Sequence, residues 1–451
     1  MTLLFALWLI AADGQTSELS KESARASGAA VALTNREPVT LQAALHAAAS
    51  HNPTMKNIRE SIVLAEVWIL KAWAILLPNL SANGSIIRNN QEIAFALPDM
   101  TGGGGPPQDV VFQELWGKSF GFTATMTVFN ARSIPLLKNA YDNIEMTENQ
   151  AKHQRNDLLL STAAAFYQLY SAQELARVAE ETLHNANEFL RMSQAQIQVG
   201  QGTQIDLLRA QIQVRSADKD LANAKDGIKL ARAALSALTD MEGEYAAAEP
   251  PRPLPITGNV NSLTSRALTD RYDLKSAHLG EEIANRSEIE TWTKWLPAFA
   301  VTYDWSWSSA AGFADQKDSW RLIFGARWDL FDGGMRIAEM SERTSLTRVA
   351  ENNAAELSIR VSQEVEQRFI EVEKSHRNVT LAEEQVGLAE ETARLVNKQY
   401  EVGMATSLDV LSTNSQLSAA RVGRVLEGLQ HDLAILWLNR AVGVLLIGSD
   451  S

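Results

Sequence analysis

The residues of this chain that could do chemistry are seven scattered histidines, several adjacent carboxylates and one glycine-rich loop. The histidines form neither a His-Glu-x-x-His pair nor any other spacing typical of metal ligands. No Gly-x-Ser-x-Gly nucleophile motif occurs, and adjacent glutamates such as Glu383 and Glu384 are typical of an exposed helix surface. The loop LPDMTGGGGPPQD (97–109) is not followed by the lysine of a phosphate-binding loop. We therefore expect no enzyme, no cofactor and no metal site.

Two aspartates occupy matching positions in two similar segments. VGQGTQIDLL (199–208) contains Asp206, and VGMATSLDVL (402–411) contains Asp409. The glycines of these segments suit a tight reversal between two helices because glycine adopts positive φ without strain. A carboxylate in the first turn of the following helix interacts favourably with the helix dipole. That local role is the simplest explanation for both aspartates.

These segments belong to an internal duplication. LLPNLSANGSI (76–86) corresponds to KWLPAFAVTYDW (294–305), and SFGFTATMTVFNAR (119–132) corresponds to RLIFGARWDLFDGG (321–334). The segments between the second correspondence and the glycine turns are also nearly equal in length. We expect a first repeat over 38–245 and a second over 259–447, joined by a stiff proline-rich linker (246–258). We also expect residues 1–37 to be a signal-like segment and flexible N-terminus, and 448–451 to be a short tail.

Each repeat is predicted to contain a helix, a strand, a loop, a strand, a very long helix, a tight turn and a helix. The opening helix of the first repeat is expected from Thr40, a suitable N-cap, to Leu77, where Pro78 stops it. Residues 132–199 contain no glycine and one proline in the first turn, which predicts a helix roughly 100 Å long. Its alanine-rich composition favours close packing against other helices.

The predicted strands alternate between apolar and polar residues. WRLIFGARWDL (320–330) puts Trp320, Phe324, Trp328 and Leu330 on one face. The same alternation in residues 119–128 places Val128 on the apolar face of the first repeat. Both a transmembrane β-barrel and a soluble sandwich show this pattern. Nine of the eleven tryptophans lie in or near the strands, which favours a lipid-facing surface. Four strands cannot close a barrel, so several chains must share one: two for eight strands, or three for twelve and a pore.

Composition narrows the partners and the compartment. The chain has no cysteine, which excludes disulfides, thiolate metal ligands and a lipid-modified cysteine. Its net charge of −13 argues against nucleic acid as the main partner. The apolar run 3–12, followed by small and polar residues, predicts a secretory signal, although the usual basic residues are missing. A buried N-terminal helix is the alternative. Elsewhere no run of about 18 apolar residues predicts a membrane-spanning helix.

The duplicated unit, the LLP before the first strand, FDGG (331–334) and the paired glycine turns resemble the TolC-like outer-membrane efflux protein family over residues 38–447. The resemblance implies a mainly α fold with membrane β-structure. Four strands from each chain would join a trimeric twelve-stranded barrel, which continues into a long periplasmic α-helical coiled-coil tunnel. It also implies a homotrimer in the outer membrane of a Gram-negative bacterium, in contact with lipid. The implied partners are a periplasmic adaptor and an inner-membrane pump of RND, ABC or MFS type.

The function expected from this resemblance is the outer-membrane channel of a tripartite efflux or type I secretion system. Such a channel passively conducts substrates from the pump to the exterior. The alternative is a periplasmic coiled-coil adaptor or structural scaffold, whose strands would form a small soluble domain. A general porin would not need the long helices. The cargo leaves no readable pattern in the sequence.

The resemblance also implies site residues. The gate and lumen residues at the hairpin tips are Asp206, Asp409, Tyr400 and Arg209. The turn and adaptor-docking residues are Gly200, Gly202, Thr203, Gly403 and Thr406. The lipid-facing barrel residues are Phe120, Phe122, Trp305, Trp320, Phe324 and Trp328. This chain has Ala405 and Ser412 where some members of the family have a basic and an acidic residue. A gate that depends on those two charges is therefore not expected here.

Overall fold

The computed structural model of the protein describes residues 38–97, 108–200, 202–310 and 316–444. The signal-like segment, residues 98–107 of the glycine-rich loop and the C-terminal tail lie outside the described residues. The first repeat contains α1 (Leu41–His51), α2 (Pro53–Ala74), β1 (Asn79–Arg88), β2 (Ile93–Leu97), β3 (Gln108–Gln113), β4 (Trp116–Phe129), α3 (Ser133–Gln198) and α4 (Gln204–Thr239). The second contains α5 (Val260–Asp270), α6 (Tyr272–Thr293), β5 (Ala298–Ser308), β6 (Asp318–Arg327), α7 (Met335–Glu401) and α8 (Ser407–Ala441). Apart from the hairpin formed by β2 and β3, the second repeat has the same order of elements as the first, as the duplication predicts.

The two longest helices are α3, with 66 residues, and α7, with 67. At 1.5 Å per residue each is about 100 Å long. The predicted helix over 132–199 differs from α3 by one residue at each end. Among the described residues, none of the helices combines the length and the apolar composition needed to cross a membrane.

The opening helix of each repeat is broken, which the sequence analysis did not predict. Asn52, between α1 and α2, has an extended backbone with ψ of 130° because Pro53 disfavours helical geometry in the residue before it. Arg271, between α5 and α6, also has ψ of 130°, although no proline follows it. The Asn52 amide donates to the Leu238 carbonyl at 2.8 Å. The Arg271 side chain donates to the Ala441 carbonyl at 3.1 Å. Each break is thus bonded to the last helix of its own repeat.

Four strands form an antiparallel sheet in the order β1-β4-β5-β6, and β1 and β6 are its edges. Two details differ from the predicted alternation. The register shifts between Thr127 and Phe129, so that Phe129 pairs with Phe299 and Val128 is the extra, bulged residue. β6 ends at Arg327, so Trp328 and Leu330 lie beyond the strand. The hairpin formed by β2 and β3 was not predicted either, because its strands are short and flank a glycine-rich segment.

The chain divides into two compact units, and each takes residues from both repeats. The first unit comprises the residues up to 59, 151–272 and 358 onward; the second comprises 60–150 and 273–357. The largest fully buried side chains in the first unit include Phe166, Phe189, Leu235 and Leu438. The repeats are therefore divisions of the sequence and do not coincide with the compact units.

The proline-rich segment between the repeats is attached to the first unit. The Val39 amide donates to the Ala246 carbonyl, and the Ala248 amide donates to the Val39 carbonyl, both at 2.8 Å. The Tyr167 hydroxyl, on α3, donates to the Pro251 carbonyl at 2.6 Å. These bonds hold the segment against the helices, so it is more than a spacer.

Candidate functional site: the sheet faces and the hairpin turns

The strand register places most of the predicted lipid-facing residues on one face of the sheet. Phe122 lies opposite Trp305, and Trp305 lies opposite Trp320. Phe120 and Phe324 share this face because they pair with Trp307 and Val301. The side chains of Trp320 and Phe324 are 68% and 77% exposed. One face of the sheet thus presents large apolar side chains outward.

Trp328 lies just beyond the last strand, which corrects its predicted place in the barrel. Its indole N–H donates to the Trp295 carbonyl at 3.0 Å, in the turn that precedes β5. The ring remains 60% exposed. A tryptophan with a bonded N–H and an exposed ring suits the boundary between hydrocarbon and water.

The opposite face of the sheet is lined by hydroxyl groups. Ser85 bonds Ser119 at 2.8 Å between β1 and β4. Thr125 bonds Thr302 at 3.2 Å between β4 and β5, and Ser306 bonds Ser319 at 3.0 Å between β5 and β6. On this face Arg321 also pairs with Asp304 at 3.0 Å. A sheet with one apolar and one hydroxyl-lined face fits a boundary between lipid and water.

Glycines make both hairpin turns, as expected, but in two different ways. Gly200 and Gly403 have φ of +79° and +76°, a conformation that other residues rarely adopt. At the second turn the Met404 amide donates to the Gln399 carbonyl at 2.7 Å, which completes a Schellman motif. Gly202 does not have a positive φ, so the reason predicted for a glycine at this position is wrong. A Cβ there would lie 3.0 Å from the Ile197 amide nitrogen, so close approach of the backbone requires glycine.

Asp206 and Asp409 each complete a capping box at the start of a helix. The Thr203 hydroxyl accepts from the Asp206 amide, and the Asp206 carboxylate accepts from the Thr203 amide at 3.2 Å. Thr406 and Asp409 repeat this arrangement, with the amide-to-carboxylate bond at 2.9 Å. The hydrogen bond from the Thr406 hydroxyl holds the pKa of Asp409 below its usual value. Both carboxylates therefore stabilise the N-termini of their helices, independently of any role in a gate.

Asp206 has a further partner that sequence reasoning missed. The Ser407 hydroxyl, in the first turn of α8, donates to the Asp206 carboxylate on α4. Hydrogen bonds from Ser407 and then from Thr203 lower the pKa of Asp206. Ser407 is buried, with 5% exposure. This bond joins the two hairpins at their turns, and only the fold reveals it because the partners are far apart in sequence.

Tyr400 lies in a small apolar cluster beneath the turns. Its side chain is 3% exposed and packs with Phe189, Ala210 and Val410, one residue from each of the other three long-hairpin helices. The rings of Tyr400 and Phe189 have centroids 5.5 Å apart. The Tyr400 hydroxyl lies 3.4 Å from the Ser193 hydroxyl. Tyr400 contacts a neighbouring helix, α3, within the chain and is buried there; its part in a gate stays a prediction.

The other predicted gate residues make fewer contacts within the chain. Arg209 lies 3.8 Å from Asp206 on its own helix and is 46% exposed. Ala405 packs against the Tyr400 cluster, so a long basic side chain at this position would require the residues of the cluster to move. Ser412 is exposed. The bond from Ser407 to Asp206 thus links the first turns of α4 and α8 without those charges.

The long helices of the first unit leave two apolar surfaces exposed. α3 contacts α8 through an ion pair between Glu181 and Arg421 at 2.8 Å. α3 also forms an ion pair with α4, the other helix of its hairpin, and α8 forms one with α7. The exposed apolar residues of this part of α7 are Ile359, Ile370, Leu381, Leu388 and Leu395. They are separated by steps of 11, 11, 7 and 7 positions, each close to a whole number of helical turns, so they form one straight stripe. Those of α4 are Ile205, Leu208, Ile212 and Leu230.

Comparison with known proteins identifies the family. The model of the outer membrane efflux protein family matches residues 44–240 and 263–444. The outer membrane efflux protein BepC of Brucella suis biovar 1 is 22% identical over 309 residues, which are 65% of this chain and 66%, just under two thirds, of that protein. The solved structure of CusC has a TM-score of 0.76 at 18% identity, covering 90% of this chain and 92% of CusC. VceC of Vibrio cholerae has a TM-score of 0.73 at 16% identity, covering 90% of this chain and 96% of VceC.

The chain belongs to the outer membrane efflux protein family. Its fold is that of the outer-membrane efflux channels, mainly α with membrane β-structure. Its location is the outer membrane of a Gram-negative bacterium, with a periplasmic extension. The family favours a channel over the adaptor or scaffold that the sequence left open, and its members are channel proteins. Channels of this family are trimeric and work with adaptors and pumps.

Proposed function

We propose that three copies of this chain form a passive export channel, the outer-membrane component of a tripartite efflux or type I secretion system. The observation that carries this proposal is the two-faced sheet, whose edge strands β1 and β6 lack partners within the described sheet. Unpaired backbone groups are costly in hydrocarbon, so the edges must meet those of other copies. Three copies supply twelve strands, with the apolar face toward lipid and the hydroxyl-lined face toward water.

The exposed stripes of α4 and α7 support the same assembly. Each stripe would be covered if α4 of one copy packed against α7 of the next. Alternation of the two helices around a ring of three copies covers every stripe once. Apolar burial at about 25 cal/mol per Å² would then stabilise the trimer outside the membrane. We expect Leu388→Glu to weaken the trimer, and Gln385→Glu, on an adjacent exposed position of α7, to leave it intact.

The hairpin turns are the proposed gate and docking region. Asp206 and Asp409, repeated in three copies, would give the entrance a negative potential that attracts cations. Arg209, half exposed beside Asp206, would moderate that potential. Tyr400 would act indirectly, by holding α7 against α3 behind the turns. Gly200, Gly202, Thr203, Gly403 and Thr406 would shape the surface that docks to the periplasmic adaptor, through which an inner-membrane RND, ABC or MFS pump supplies substrate.

Reconstitution tests this proposal directly. The protein is extracted in detergent, its mass is measured by native mass spectrometry, and it is added to a planar lipid bilayer. The expected results are a mass of three chains, migration that depends on heating before electrophoresis, and stepwise increases in conductance. A folded, monodisperse single chain in buffer without detergent would contradict the proposal.

A further inference from the structure

The polar face of the sheet contains one ion pair away from the strand ends, between Asp304 on β5 and Arg321 on β6. We infer that this pair sets the ion preference of the membrane part of the channel, with Arg321 as an exposed cation that favours the passage of anions. The inference rests on the proposed function, because it needs the polar face to line a water-filled lumen. It concerns a different part of the chain from the acidic hairpin turns.

The pair of Asp304 and Arg321 is unusual on this face because nearly all other positions are uncharged. In the register of the described sheet, the remaining positions carry serine, threonine, asparagine, glycine, alanine or isoleucine side chains, apart from Arg327. Arg327 is the last residue of β6 and pairs with Asp329 at 3.2 Å, just beyond the strand. A lumen lined mainly by neutral hydroxyls has little ion preference of its own. One charged ring in such a lumen therefore has a large influence on which ions pass.

The two members of the pair differ in exposure. Asp304 is 21% exposed, whereas Arg321 is 73% exposed. The carboxylate accepts from the Arg321 Nε at 3.0 Å, and Thr123 lies opposite Asp304 on the strand at its other side. Its negative charge is thus compensated by the guanidinium group of Arg321. Most of the Arg321 side chain is therefore accessible to solutes in the described chain.

Three copies of this arrangement give a ring of three guanidinium groups with their counterions behind them. Guanidinium groups bind carboxylates and phosphates through paired hydrogen bonds, so small organic anions with these groups are the solutes that the ring suits. Low-dielectric walls strengthen the field inside a narrow lumen. Salt weakens it, because the screening length falls from about 10 Å at 0.1 M to about 3 Å at 1 M.

The test is the permeability ratio of K⁺ to Cl⁻, measured in planar bilayers across a KCl gradient near 0.1 M. Arg321→Gln should raise this ratio by about twofold or more, and Asp304→Asn should lower it, because the guanidinium then loses its counterion. The matched control is Arg88→Gln, which removes an arginine from the apolar face of the same sheet. Both shifts should shrink at about 1 M salt.

The chain has no native cysteine, so Arg321→Cys offers a second test on an assembled channel. A thiol reagent with a positive charge should restore the wild-type ratio, and a negatively charged reagent should raise the ratio further. An unchanged ratio in Arg321→Gln, or in Arg321→Cys after either reagent, would overturn the inference while leaving the channel function intact. Failure of the wild-type protein to conduct at all would instead contradict the proposed function.

Discussion

The Ser407 hydroxyl donates a hydrogen bond to the Asp206 carboxylate, 201 positions earlier in the chain. Each residue lies in the first turn of a helix that follows a glycine turn, so the bond ties the two hairpins together where they reverse. Beneath it, Tyr400 and Phe189 pack at 5.5 Å between ring centroids. The Gln196 side-chain amide also donates to the Tyr400 carbonyl at 3.0 Å, so polar contacts and a small apolar cluster together hold the turns.

The first prediction concerns this contact. Ser407→Ala removes the donor without changing charge, so it should loosen the turns and raise the single-channel conductance. Asp206→Asn should also loosen them, and the double variant should show less than the sum of both effects, because both changes break the same bond. Ser412→Ala, an exposed serine on the same helix, is the control. Equal conductance in Ser407→Ala and the wild type would rule out a role for the bond in gating.

The second prediction is the pH range over which this contact persists. The pKa of Asp206 is lowered in the folded protein, so the charged carboxylate stabilises the contact above the usual aspartate pKa of about 4. That stabilisation is lost only as the pH falls through the lowered pKa. Conductance should thus be steady between about pH 5 and 8. A transition in this range that Ser407→Ala abolishes would contradict the assignment.

A third prediction separates the two faces of one strand. Phe324→Arg places a charge on the apolar face and should impair trimer assembly, at a cost of about 2–4 kcal/mol near the bilayer midplane. Ile323→Arg places the same charge on the neighbouring residue, which faces the hydroxyl-lined side opposite Thr302. The second variant should assemble normally. Equal trimer yields on gels without boiling would show that the faces are assigned wrongly.

A fourth prediction concerns Asp432 on α8, whose pKa is raised to about 6 by burial. The folded protein therefore binds more protons than the unfolded chain between about pH 4 and 6, and its stability falls as the pH rises through that range. Asp432→Asn removes the buried charge, so at pH 7 it should raise the free energy of unfolding by about 1–2 kcal/mol, after allowance for partial exposure, and with it the thermal midpoint. Asp220→Asn, at an exposed position of α4, is the control. A lower midpoint for Asp432→Asn at pH 7 would contradict the raised pKa.

Glycine substitutions provide a fifth test. Gly200→Ala and Gly403→Ala require alanine at positive φ, which costs about 1–2 kcal/mol each. Gly423→Ala, inside α8, meets no atom within 4 Å and should gain up to about 1 kcal/mol of helix propensity. The thermal midpoint of the detergent-solubilised protein should thus fall in Gly200→Ala and Gly403→Ala and rise in Gly423→Ala. A destabilised Gly423→Ala would indicate a neighbour from another copy at that position.

Local signals in the sequence predicted the elements that depend on local physics. α3 was placed within one residue at each end because glycine is absent between its flanking turns. The alternation of the strands predicted two faces correctly, except at Val128, where a bulge is invisible to a simple period of two, and at Trp328 and Leu330, which lie beyond the end of β6. The capping roles of Asp206 and Asp409 also follow from local sequence. Ser407 was missed because its significance depends on a partner from the other hairpin.

The two helix breaks show how duplicated repeats can diverge in sequence and still keep one shape. At Asn52 the bend is imposed by the covalent ring of the next residue, Pro53, whereas at Arg271 it is imposed by side-chain bonds to Glu364 and Ala441. The first bend thus has a local cause in addition to its bond from Asn52 to Leu238, whereas the second has tertiary contacts without a following proline. Substitutions near Pro53 that keep the proline should therefore preserve the first bend. The second bend depends on residues that are far from Arg271 in the sequence, so substitutions at these positions must be compatible with one another. Over evolutionary time the two halves therefore face different constraints, although they descend from one unit.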